Sequence, residues 1–252
     1  MVDLKTLPIE ISETNEVRSL HLETDSIQSS MLIQDPIHLT LKYTQVVALT
    51  LLFFRHPKNI TILGLGAGSL TKFFFYLCPK TKIHTIEINP RVIDVAHQMF
   101  SVPFETKRHH ITEFDAEIYL KQNKSKLQIL ISDIFDGYGI PRTFTQKKYF
   151  KLCSERLENN GLFIINLWGS DKKTPNYIQD LKLIFSKVVI VESDNPGNVI
   201  IFCFKHSFLF PSKRQMDLRL SFLENKINFD LPFFYKRMLK RNKQLFESMN
   251  CL

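Results

Sequence analysis

The stretch Ile60-Thr61-Ile62-Leu63-Gly64-Leu65-Gly66-Ala67-Gly68-Ser69 decides the fold. Ile60 to Leu63 is an apolar run suited to a buried strand, and Gly64, Gly66 and Gly68 follow it directly. Glycines let a backbone turn sharply and approach a ligand closely, and the helix predicted from Ser69 to Leu77 offers its free N–H groups at the same place. A tightly packed turn would use the same glycines, so the meaning of the loop depends on what surrounds it.

Downstream, strands and helices alternate. Ile83 to Ile86 reads as a strand and Pro90 to Phe100 as a helix, with Pro90 suited to its first turn. Leu127 to Ser132 (strand), Gln146 to Leu157 (helix), Gly161 to Leu167 (strand), Pro175 to Phe185 (helix) and Val188 to Val191 (strand) continue the pattern. The turn Asn195-Pro196-Gly197-Asn198 then leads into Val199 to Phe204 as an antiparallel partner. This order predicts an α/β, methyltransferase-like (Rossmann-like) fold: a mostly parallel sheet with right-handed crossovers and helices on both faces.

Upstream, Thr40 to Arg55 lacks Gly and Pro and reads as one helix. Val17 to Leu22 and Ile27 to Ile33 read as a β-hairpin, and residues 1–14 as loose chain. Beyond Phe210-Pro211 the pattern is helical, broken near Pro232. Three parts are expected: an N-terminal β appendage (1–39), a nucleoside-binding α/β domain (40–206) and a basic helical C-terminal extension (207–252).

Composition is consistent with a folded α/β protein. Of 252 residues, 44% are apolar and 23% charged, which excludes the low-hydrophobicity, high-charge pattern of a disordered chain. The apolar stretch Val46 to Phe54 falls well short of the roughly 20 residues a membrane helix needs. Met1-Val2-Asp3-Leu4-Lys5 lacks the basic start of a secretory signal, so a cytoplasmic protein with no membrane contact is expected. Cys78, Cys153, Cys203 and Cys251 show no Cys-x-x-Cys pair and no His at metal-ligand spacing, which favours inert thiols and no metal. His97, His109 and His110 belong to no nucleophile or metal pattern. Residues 213–252 carry nine basic side chains against four acidic ones, +5 of the net +8. A solvated helical face explains Lys236-Arg237 and Lys240-Arg241 better than a nucleic-acid contact does.

Four carboxylates sit where strands end. Glu87 follows Ile83 to Ile86, twenty-three residues after Gly64, where an acidic side chain accepts hydrogen bonds from ribose hydroxyls. Asp115-Ala116 falls where a third strand should end, close to an adenine edge or serving as a helix cap. Asp133 and Asp136 follow Leu127 to Ile131 and bracket Ile134-Phe135. Two carboxylates there suit a cationic diamine, one as general base and one as anchor for the distal ammonium; an Asx-type turn before Gly137 is the plain alternative.

The ordered set Ile62-Leu63-Gly64-Leu65-Gly66-Ala67-Gly68, Ile86-Glu87-Ile88-Asn89-Pro90, Asp115-Ala116 and Ser132-Asp133-Ile134-Phe135-Asp136 resembles spermidine synthases, the polyamine aminopropyltransferases. The resemblance covers roughly residues 17–206 and implies decarboxylated S-adenosylmethionine along the glycine loop (Gly64, Gly66, Ala67, Gly68), with Glu87 on its ribose and Asp115-Ala116 at its adenine. It further implies Asp133 as the base, Asp136 as the ammonium anchor, a polyamine such as putrescine as acceptor, and a homo-oligomer. Two departures mark this chain. Ala67 stands where the family carries an Asp for the aminopropyl ammonium, which would suit full S-adenosylmethionine and a methyltransferase. Val47-Ala48-Leu49 stand roughly where the family has Tyr-His-Glu, leaving Tyr43 and Gln45 as the nearest polar candidates for the amine site. A non-catalytic nucleoside-binding protein of the same fold is the third reading.

Overall fold

The computed structural model describes residues 8–195 and 197–249; Met1 to Leu7, Pro196 and Asn250 to Leu252, with Cys251, lie outside the described residues. Five strands form the parallel body of the central sheet: β4 (Asn59–Leu63), β5 (Lys82–Glu87), β6 (His109–Glu113), β7 (Leu127–Ser132) and β8 (Leu157–Trp168). β10 (Asn198–Phe204) inserts antiparallel between β8 and β9 (Lys187–Glu192), and the full order is β6-β5-β4-β7-β8-β10-β9. The order reverses between β4 and β7, the switch point at which open α/β sheets leave a crevice beyond their strand ends.

Both faces of the sheet are covered, which is why its strands are nearly continuous apolar runs. Ile62, Ile129, Ile131, Ile164 and Phe202 point into one core cluster, while Leu63, Leu130, Phe163, Ile165 and Ile201 alternate into the other. The flanking helices are α3 (Ser69–Leu77), α4 (Pro90–Met99), α5 (Ala116–Gln122), α6 (Lys147–Arg156) and α7 (Thr174–Ile184). Asn89 caps α4 by accepting from the Arg91 N–H, with Pro90 in the first turn where its missing N–H costs nothing.

Two local expectations need correction. Residues 40–55 form α1 (Lys42–Val47) and α2 (Thr50–Phe53), not one helix. The ladder tightens to i→i+3 bonds at Leu49, Leu51 and Leu52, and the Thr50 hydroxyl bonds back to the Val47 carbonyl at 2.6 Å. Val46 to Phe53 are all buried, so no polar face existed to reveal the break. The N-terminal unit is a three-stranded sheet, β1 (Ile9–Glu13), β2 (Val17–Leu22) and β3 (Ile27–Leu32); β1 is a partly exposed edge strand where loose chain was expected. The helical break expected near Pro232 is the loop between α8 (Lys213–Glu224) and α9 (Leu231–Arg241), with Pro232 in the first turn of α9, where its missing N–H costs nothing.

The C-terminal helices α8, α9 and α10 (Lys243–Ser248) drive Met216, Leu220, Leu231, Phe234, Met238 and Phe246 into the first core cluster. Much of their positive charge serves structure. Arg219 donates to the carbonyls of Leu52 and Phe53, Arg237 to those of Glu192 and Ser193, and Arg241 pairs with Glu192 at 3.0 Å. Asn242 closes the free edge of β9, accepting from the Ile190 N–H at 2.9 Å and donating to the Ile190 carbonyl at 2.8 Å. Among the described residues no helix is long and apolar enough to cross a membrane. Cys153 and Cys203 are fully buried, and burial pushes both thiols up, so neither is ionised near neutrality.

Lys72, on α3, is 1% exposed and donates to the Phe100 carbonyl at 2.6 Å. Burial pulls its ammonium down to about 7, whereas an unfolded chain holds its proton to roughly 10.4. Between those values the unfolded state binds the extra proton, so stability falls as pH drops from about 10 to about 7. Relative to Lys72→Met, the wild-type protein should therefore gain about 1 kcal/mol of stability per pH unit on going from pH 7 to 9, measured by urea unfolding; parallel pH profiles would contradict it.

Candidate functional site

The crevice beyond β4, β5 and β7 is walled by the glycine loop, the segment after β5 and the start of α5. Gly64, Gly66 and Gly68 all have positive φ, at 93°, 52° and 68°. A Cβ at Gly64 would sit 2.2 Å from the Asp133 carbonyl oxygen, so glycine here lets the ends of β4 and β7 close up. A Cβ at Gly68 would sit 2.2 Å from a Val102 methyl, which ties that glycine to helix packing rather than to the cavity. Ala67 is buried against Leu20, Met31 and Phe100 and does not line the cavity.

Glu87 lines the cavity with both oxygens engaged: the Leu65 N–H donates to one and the Asn89 N–H to the other, each at 2.9 Å. Burial raises its pKa and these backbone donors lower it, with burial the larger effect. Glu87 thus clamps the glycine loop to the end of β5. Asp115 caps α5, accepting from the Ile118 N–H at 2.8 Å, and with Ala116 also faces the cavity, so the helix-cap reading and the wall position coincide.

Asp133 is held from two sides. Asn166 donates to Oδ1 at 2.9 Å and the Tyr43 hydroxyl to Oδ2 at 3.1 Å. Asn198 in turn donates to the Asn166 side-chain carbonyl at 2.9 Å, fixing the orientation of that amide. Desolvation raises the Asp133 carboxyl above the ordinary carboxylate range; the bonds from Asn166 and Tyr43 work against it. Neither asparagine was singled out from the sequence. The available signal was Asn166 itself, a lone amide inside the apolar run Leu162 to Leu167, since a buried amide needs partners.

The other candidates lie apart. Asp136 accepts from the N–H groups of Tyr138 and Gly139, both at 2.8 Å, which is the Asx-type turn, and it does not line the cavity. Gln45 turns away and donates to the Leu39 carbonyl at 2.6 Å. Val47, Ala48 and Leu49 are core residues, and Tyr43 is the residue of this segment that reaches Asp133. A second cavity continues from the first past Tyr43, Gln28 and Phe135 to Trp168 and Asp194, the last paired with Lys42 at 2.7 Å.

Among the described residues, Glu87, Asp115 and Asp133 line the first cavity and no Lys, Arg or His does. Such a wall favours a cation. Among the described residues no cluster of three or more His, Cys, Asp or Glu is placed to hold a metal ion.

Comparison with known proteins accords with this geometry. Residues 40–202 match the spermine/spermidine synthase domain. The polyamine aminopropyltransferase of Neisseria meningitidis serogroup A is 32% identical over 231 residues, 91% of this chain and 86% of that one. A spermidine synthase solved in complex with the transition state analogue AdoDATO superposes with a TM-score of 0.66 at 14% identity, over 97% of this chain and 89% of that one. Human methyltransferase-like protein 13 in complex with SAH gives 0.61 at 22% identity, over 73% and 87%; at these identities the two structures share the fold alone. Fold, cleft and relatives together define a transferase of the methyltransferase-like α/β class. Within that class, the chain belongs to the spermine/spermidine synthase family.

The contact at Gly64 is testable by stability. Gly64→Ala should cost about 2–3 kcal/mol in urea unfolding, because strain at positive φ adds to a clash with backbone. Gly66→Ala, whose Cβ would only touch Ser29 at 3.4 Å, should cost about 1–2 kcal/mol. Equal costs would remove the special role of Gly64.

Proposed function

We propose that the protein transfers the aminopropyl group of decarboxylated S-adenosylmethionine to a polyamine such as putrescine. The observation that carries this reading is a carboxylate wall with no Lys, Arg or His among the described residues that line it, and Asp133 held there by Tyr43 and Asn166. Function is argued from this site, since the fold alone hosts many chemistries.

The nucleoside would lie along Gly64 and Gly66, its ribose by Glu87 and its adenine by Asp115 and Ala116. The acceptor would enter through the second cavity, its chain against Phe135 and Trp168, whose rings lie 5.9 Å apart. Asp133 takes a proton from the attacking ammonium. The freed lone pair forms the N–C bond to the carbon beside the sulfonium, and the C–S pair returns to sulfur, leaving methylthioadenosine. Desolvation makes Asp133 a stronger base than an exposed aspartate, while its two donors hold it in line with the reacting atoms. Asp136 would contribute by shaping the loop after Asp133, and Asp194, paired with Lys42, would flank the acceptor path.

The methyltransferase reading draws on the absence of an acidic side chain at Ala67, although that position is buried away from the cavity. Full S-adenosylmethionine, however, would bring its own carboxylate to a wall where no basic side chain among the described residues meets it.

Product analysis decides between the two. With decarboxylated S-adenosylmethionine and putrescine, mass spectrometry should show methylthioadenosine and spermidine; adenosylhomocysteine formed from S-adenosylmethionine would establish methyl transfer instead. Asp133→Asn should lower kcat by about 10²–10⁴-fold while the nucleoside still binds. A variant turning over at the wild-type rate would end the assignment of the base.

The pH profile tests the support of that base. The ionised carboxylate is the active form, so activity falls as pH drops through its pKa. Tyr43→Phe and Asn166→Leu each remove a donor that favours ionisation, so the acidic limb of kcat/KM should move to higher pH in both. An unmoved limb would mean that these residues do not act through Asp133.

A further inference from the structure

A second site lies at the opposite end of the sheet, where β4 and β5 begin. A groove of about 670 Å3 runs between the turn after α2, the turn from α3 into β5, and one face of α8. That volume falls within the roughly 300–1,000 Å3 usual for small-molecule sites.

Its charge is one-sided. Arg55, His56, Lys80, Arg219 and Lys226 line it, and among the described residues no Asp or Glu does. None of the five takes part in an ion pair among the described residues. Arg219 is fixed in place by its bonds to the Leu52 and Phe53 carbonyls at 2.6 and 3.0 Å, and Arg55 is close enough to disfavour its charge beyond the effect of burial. Guanidinium groups gathered without a counterion repel one another, and an anion between them relieves that repulsion.

The other wall is apolar. Leu218 and Phe222 project from α8 at 64% and 53% exposure beside Leu51 and Leu77, and the Lys226 ammonium lies 4.5 Å from the centre of the Phe222 ring. A bare inorganic anion would leave this wall wet, while a neutral apolar molecule would leave the cations unmet.

We propose that this groove binds a small amphiphilic anion, its carboxylate or phosphate head among Arg55, Arg219 and Lys226 and its apolar body against Phe222 and Leu218. The site is separate from the carboxylate-walled crevice and does not depend on the reaction carried out there.

Calorimetric titration of the full chain with decanoate tests this, with inorganic phosphate and decanol as head-only and tail-only controls. Decanoate should bind with one-to-one stoichiometry, and each control about tenfold or more weakly. Lys226→Glu combined with Arg55→Glu, and separately Phe222→Ser, should each weaken decanoate about tenfold at unchanged melting temperature. Decanoate binding equally well to both variants, or phosphate matching decanoate, would overturn the proposal. So would light scattering showing a wild-type dimer that either variant converts to monomer, because the groove would then be an interface between copies.

Discussion

Gly64 and Asp133 meet where β4 and β7 end, and the rest of the site depends on that contact. The Gly64 backbone at φ 93° lets the Asp133 carbonyl come where any Cβ would collide with it. The Asp133 N–H bonds to the Leu63 carbonyl at 2.9 Å, and the Gly64 N–H bonds to the Ile86 carbonyl at 2.8 Å. Three neighbouring strand ends are thereby laced together, and the glycine loop and the carboxylate of Asp133 face the same crevice. The wider spacing that a side chain would force there would separate the nucleoside cradle from the base.

The electrostatics of the crevice follow from how its carboxylates are held. Glu87 is satisfied by the backbone of the loop it braces, Asp115 by the helix it caps, and Asp133 by Tyr43 and Asn166. Without their donors, burial would push the Glu87 and Asp133 carboxyls further towards the protonated form. Neutral donors preserve the negative charge without cancelling it, as a lysine or arginine would, so the field stays available for a cationic ligand.

The C-terminal helices contribute to the same end from a distance. Their apolar faces complete the core on one side of the sheet, and Asn242 and Arg237 tie them to the edge and end of β9. β9 pairs with β10, which carries Asn198 and so sets the outer link of the chain Asn198, Asn166, Asp133.

The order of elements, the glycine loop and the strand-end carboxylates Glu87, Asp115 and Asp133 were legible in the sequence, because each depends on residues adjacent along the chain. An apolar run followed by glycines, or an acid followed by Asn-Pro, carries its local structure within a few residues. The break between α1 and α2 was not legible, because a segment buried all round has no polar face to show its period. Nor was the bonding around Asp133: Tyr43 from α1 stood only as a candidate for the amine site, and Asn166 from β8 with Asn198 from β10 behind it lay thirty-three and sixty-five residues away along the chain. Residues close along the chain thus suffice for the α/β class and for which carboxylates stand at strand ends. That Asp133 faces the cavity while Asp136 folds into its own turn, and that Tyr43 rather than Gln45 reaches the site, emerges from the folded molecule, because side-chain direction is set by packing between elements distant in the chain.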